Sequence, residues 1–128
     1  MSIEENLLDQ ELKIIRGIVA LSWIANEVRQ AAGFWEDGQN SNIPTKLCLI
    51  HSEISEAMEG YRKNLRDDKL TNRPAMEVEL ADAVIRIADL AQHMGYDLAG
   101  AIIAKMHYNN NRADHKPEAR AATNGKKF

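Results

Sequence analysis

Apolar residues recur at spacings of three and four along most of the chain, and the period-two alternation of strands is missing. Leu8, Leu12, Ile15, Val19 and Trp23 form one such stripe. They predict a long helix from about Glu4 to Ala32, weakened at Gly17 by about 1 kcal/mol relative to Ala. The segment from Gly33 to Asn42 is rich in Gly, Asn and Ser and reads as a loop. Pro44 suits the first turn of a second helix reaching about Leu65, with the stripe Leu47, Ile50, Ile54, Met58, Tyr61 and Leu65. A third helix from about Pro74 to Met94 carries Met76, Leu80, Val84, Ile87, Ala91 and Met94. Asn72 is its candidate N-cap and Gly95 its C-terminal stop. Asp97 is placed to cap a fourth helix, Leu98 to about Arg112. The remainder, Ala113 to Phe128, lacks periodicity and reads as an extended or partly disordered tail. The pattern predicts an all-α protein, a four-helix bundle-like single domain over 1–128 with a long N-terminal helix.

Composition narrows the class. The chain has 128 residues, 45% of them hydrophobic, which suffices for a core and excludes a disordered tail. Nineteen acids against 16 Lys and Arg give a net charge of −3, without the basic stripe of a nucleic-acid binder. The longest apolar run, Ile18 to Ala25, is far short of the roughly 18 residues a membrane span needs. The acidic start, Met1 to Asn6, is unlike a signal peptide. Cys48 has no partner for a disulfide and reads as a small buried hydrophobe. Together these features predict a soluble cytoplasmic protein.

The second helix carries Glu53 and Glu56, and the third carries Glu79 and Asp82, each pair at i, i+3. Such pairs share a helix face. At about 100° per residue, both pairs fall at the same angles from their own apolar stripes. On the second helix this flank includes Leu49 and Gly60, a poor solvent face. If the helices pack antiparallel through their apolar stripes as a common core, the flanks converge and four carboxylates crowd one volume. Their repulsion calls for protons or a hard cation such as Mg²⁺, Mn²⁺ or Ca²⁺. Acidic pairs of this kind also occur on plain solvated faces. No histidine here follows a carboxylate at the Glu-x-x-His spacing of di-iron bundles.

The fourth helix begins apolar at Leu98, Ala101 and Ile102, then continues the same face with Lys105, Asn109 and Arg112. One reading is a helix that leaves the core. The other is a phosphate clamp, for which Lys, Arg and Asn supply charge and hydrogen bonds. Trp23, Phe34 and Trp35 are candidates for stacking on a base, or for core or interface packing.

In combination these motifs resemble the MazG-type nucleotide pyrophosphohydrolases, the all-α NTP pyrophosphatase superfamily. The family signature is Glu-Glu-x-x-Glu, a spacer, then Glu-x-x-Asp. Here it reads Ser52-Glu53-Ile54-Ser55-Glu56, then Glu79-Leu80-Ala81-Asp82, followed by Lys105-Met106-x-x-Asn109-x-x-Arg112 and His115-Lys116. The resemblance implies the MazG fold. It also implies hydrolysis of (deoxy)nucleoside triphosphates to the monophosphate and pyrophosphate, as in nucleotide-pool cleaning. Glu53, Glu56, Glu79 and Asp82 would be catalytic metal ligands for Mg²⁺, with Mn²⁺ able to substitute. Lys105, Asn109 and Arg112 would contact the substrate phosphates. A homo-oligomer, dimer or tetramer, is implied as well. The first Glu of the family's pair is Ser52 here, which removes a residue that helps activate the attacking water. The general base is then either absent, with a metal-bound water sufficing, or nearby Glu59. Three alternatives stand beside this reading. One is a non-catalytic metal- or nucleotide-binding bundle. Another is a pyrophosphatase of a different nucleotide such as phosphoribosyl-ATP. The third is a helical interaction module with solvated acids.

Overall fold

The computed structural model describes residues 3–36 and 43–128, and among these it is all-α, with no strand. Helix α1 spans Ile3–Ala31, α2 Ile43–Arg62, α3 Ala75–His93 and α4 Leu98–Asn111. The expected loop up to Asn42 lies outside the described residues from position 37 on. Asp97 caps α4 as its sequence predicts, accepting from the Gly100 N–H at 2.9 Å. Gly95 terminates α3 at φ +72°, a conformation that favours glycine.

Three local expectations are corrected. Asn72 does not cap α3, which Pro74 enters without a side-chain cap. Helix α2 stops at Arg62, short of Leu65, because the chain turns at Asn64 with φ 51° and the Leu65 N–H returns to the Gly60 carbonyl. The tail is partly helical and only in part extended: a 3-10 turn at Ala113–His115 leads into a short helix, α5, at Pro117–Ala121. Pro117 presets the first helical φ, and Arg120 donates back to the carbonyls of Lys126 and Lys127.

Helix α3 is central, touching both α2 and α1. Gly60 lies against Ala75, while Glu53 lies against Arg86. Numbers fall along α2 as they rise along α3, so the two run antiparallel. They meet on the carboxylate flank itself: the buried residues of α2 are Glu53, Ala57 and Gly60. A Cβ on Gly60 would sit 3.0 Å from the Ala75 Cβ, so any larger residue would have to push α3 back by a few tenths of an ångström. The buried apolar residues are small: Ala25, Ala57, Ala83, Ala88, Ala91 and Ala99, with Trp35 the one large exception among the described residues.

This corrects the reading of the apolar stripes as one chain's core. Trp23, Ile54, Met58, Tyr61, Leu80, Val84 and Ile87 are all exposed, as are Leu8, Leu12, Val19, Leu47, Leu65 and Met76. Helices that pack through Ala and Gly come close together, and larger side chains beside the contact then point outward. Cys48 is exposed rather than buried, for it sits away from the α2–α3 contact.

Asp89 ties α1, α3 and the loop after α1 together and is only 2% exposed. It accepts from Asn26 Nδ2 at 3.0 Å, Arg29 Nε at 2.7 Å and Trp35 Nε1 at 2.9 Å. Helix α4 packs further along α1, where His107 Nε2 lies 2.6 Å from a Glu11 carboxylate oxygen. Glu11 and Asn26 are 15 residues apart on one helix, so these two anchoring points are about 22 Å apart. Helices α3 and α4 therefore succeed each other along α1 instead of lying side by side. No helix of the described residues is long and apolar enough to cross a membrane.

Removing the Asp89 carboxylate strands the Arg29 guanidinium, whose side chain is only 14% exposed. Asp89→Ala is expected to cost about 3–5 kcal/mol in urea denaturation, the scale for breaking a buried ion pair. A variant as stable as the wild type would show that Asp89 does not hold the helices together.

Candidate metal centre

The antiparallel contact of α2 and α3 brings Glu53, Glu56 and Glu79 together. One carboxylate oxygen from each lies within 4.8 Å of the others. Glu53 is buried, Glu79 half-buried and Glu56 exposed at the mouth. Beside them is a cavity of about 290 Å³, lined in part by Glu56, Gly60, Arg66, Asp67, Ala75 and Glu79. Its far wall is the α2–α3 turn, which Asp67 pins by accepting the Lys69 and Leu70 N–H groups at 3.0 and 2.7 Å.

The three acids do not ionise independently. A hydrogen bond shared with Glu53, then burial, then contact with Glu56 push the Glu79 carboxyl up to about 8. Burial opposes ionisation of Glu53, but its hydrogen bonds with Glu79 and Arg86 outweigh that and hold it below the usual carboxylate range. Glu79 therefore keeps its proton well above the usual carboxylate range. A hard divalent cation would take that proton's place and relieve the repulsion, so the donor set suits Mg²⁺ or Mn²⁺.

Asp82, the fourth expected ligand, is not in this close group. It lies exposed on the same flank of α3. Loss of part of its hydration, then the charge of Glu53, raise its carboxyl, while Arg86 pulls the other way. Arg86 donates from Nε to Glu53 Oε1 at 2.9 Å. Ser52 turns its hydroxyl back to the Leu49 carbonyl at 2.6 Å. Glu59 pairs with Arg62 at 3.0 Å and Lys63 at 2.6 Å.

The clamp residues of α4 are elsewhere, since among the described residues α2 and α4 do not touch. Lys105 Nζ lies over the Tyr108 ring at 4.6 Å, and Arg112 pairs with Asp114 at 2.6 Å. The Oδ1 atom of Asn109 is buried without a hydrogen-bond partner. Of the aromatic candidates, Trp35 is buried with His93 stacked on its ring at 3.6 Å and Lys46 Nζ over it at 4.5 Å. Its ring is engaged within the chain rather than offered to a base. Phe34 is exposed with Arg29 over its face at 4.2 Å, and Trp23 is exposed on α1.

Spacing along the chain does not mark Asp89 or Asp67 as functional. Asp89 carries one available signal, a lone carboxylate inside the run Ile87-Ala88-Asp89-Leu90-Ala91. Asp67 carries none, because it looks like any turn acid.

The Glu79 shift has a stability consequence. Its folded value near 8 exceeds the ordinary 4.5, so the folded chain binds the extra proton between those values. The stabilisation is complete below about 4.5 and is lost as pH rises through about 8. His115 works oppositely: desolvation and then Arg112 lower it, so its contribution is lost as pH falls below the ordinary 6.5. Comparison with Glu79→Gln cancels the His115 effect. The metal-free wild type is expected to lose more melting temperature than Glu79→Gln between about pH 5 and pH 9. Mg²⁺ should restore the wild type at the alkaline end. Parallel curves would show that Glu79 ionises normally.

No protein-family model matches the chain, nor does any curated protein or solved structure.

Proposed function

We propose that the chain hydrolyses nucleoside triphosphates, releasing pyrophosphate and the monophosphate, with Mg²⁺ as cofactor. The observation that carries this reading is the convergence of Glu53, Glu56 and Glu79 within 4.8 Å across two antiparallel helices. The order of motifs that resembles the MazG-type enzymes supports it. Glu53, Glu56 and Glu79 would hold the Mg²⁺, which when bound would supply charge neutralisation for the phosphates and a water of lowered pKa. Glu79 gives up its proton on ligation, and Glu53 stays oriented by Arg86. Asp82 sits on the same flank, one helical turn from Glu79, and would be the fourth ligand in this reading. Ser52 and Glu59 are both engaged with their own helix, so neither is assigned as the base.

A homo-oligomer belongs to the same reading. Exposed Trp23, Ile54, Met58, Leu80, Val84 and Ile87 are more apolar surface than a lone small domain usually leaves in water. Lys105, Asn109 and Arg112 sit on a helix that does not touch α2, so a second copy is the natural source of these groups for the carboxylate site. The second reading, a metal-binding bundle without turnover, is favoured by Ser52, whose hydroxyl faces its own helix.

Pyrophosphate release from the common NTPs and dNTPs, and from phosphoribosyl-ATP, tests the reaction. Release should require Mg²⁺, stop with EDTA, and fall at least about 100-fold in Glu56→Gln and Glu79→Gln. Mg²⁺ binding without release from any substrate would establish the second reading. Light scattering on a sizing column should give the mass of a dimer or tetramer, and Ile54→Glu with Val84→Glu should shift it to that of one chain. A wild-type monomer would remove the oligomer from the proposal.

A further inference from the structure

Arg86 is the cation nearest the carboxylate group. Its Nε lies 2.9 Å from Glu53, whose ligand oxygen is within 4.8 Å of those of Glu56 and Glu79. Only Nε is used. Among the described residues the two terminal amino groups of the guanidinium make no hydrogen bond or ion pair, and the side chain is 24% exposed. Arg66 also lines the cavity beside Glu56 and Glu79, but Arg86 is the cation bonded to the carboxylate group itself, and Lys105 and Arg112 are engaged with Tyr108 and Asp114.

We propose that Arg86 binds the phosphates of the substrate, using its terminal amino groups while Nε keeps Glu53 in position. This rests on the metal-dependent hydrolase reading and adds to it a phosphate contact from the same chain as the carboxylates. The guanidinium fork suits bidentate contact with a phosphate, and a polyphosphate carries oxygens enough for both the metal and Arg86. Arg86 therefore acts in opposite directions on the two ligands. It competes with a metal ion for Glu53 but attracts the phosphates that arrive with the metal.

The test is calorimetric titration of wild type, Arg86→Met and Arg86→Lys with Mn²⁺ alone, and with pyrophosphate at saturating Mg²⁺. Arg86→Met should bind Mn²⁺ as tightly as wild type or more tightly, yet bind pyrophosphate at least about tenfold more weakly. Arg86→Lys, which keeps the charge without the fork, should fall between and covers the case in which the Met variant does not fold. Equal pyrophosphate binding by wild type and the variants overturns the assignment and leaves the hydrolase reading standing. Parallel losses of Mn²⁺ and pyrophosphate binding also overturn it, because they mark Arg86 as only a support for Glu53. A wild-type protein that binds no Mn²⁺ overturns the hydrolase reading, and this inference with it.

Discussion

The close approach of α2 and α3 governs the rest of the molecule. Gly60 against Ala75, with Ala57 and Ala83 buried nearby, lets two helices meet on side chains of minimal size. At that distance three acids on the facing flanks cannot separate. The proton on Glu79 and the pairing of Glu53 with Arg86 are both responses to charge confined by backbone geometry. The cost of the site is electrostatic, and packing of small residues supports it.

The same geometry explains why so many large apolar side chains of the described residues are exposed. Side chains at a helix contact must be small for close packing, so the large apolar residues of α2 and α3 are displaced to the outside. Burial of those residues against another chain would contribute far more than the alanine contacts within one. Asp89 compensates locally. Its carboxylate takes Asn26, Arg29 and Trp35, joining α1 to α3 through directional bonds where apolar volume is scarce. A buried charge of this kind holds a unique arrangement because any other leaves Arg29 or Asp89 unpaired.

The chemistry divides along α1. Carboxylates occupy the α2–α3 contact, and the Lys105, Asn109 and Arg112 face lies on α4, which meets α1 near Glu11. Within one chain the metal-type and clamp-type residues are not neighbours. Arg86 stands apart from the other cations because it reaches the carboxylates from the same helix that carries Glu79 and Asp82.

Local rules were sufficient to read much of this from the sequence. The helices, the stop at Gly95, the cap at Asp97 and the shared flank of Glu53, Glu56 and Glu79 depend on residue spacing and backbone propensity, which act over a few residues. Periodicity could show that Ile54 and Leu80 share a stripe with other apolar residues on their own helices. It could not show which side of the helix meets its neighbour, because a hydrophobic stripe can face its own chain or another. Only the tertiary structure decided that α2 and α3 pack on Gly60, Ala75 and the carboxylates. It alone placed Asp89 beneath Arg29 and Trp35 and set α4 apart from α2. Those outcomes depend on side-chain volumes and charges brought together from distant parts of the chain, and sequence spacing holds no record of that proximity.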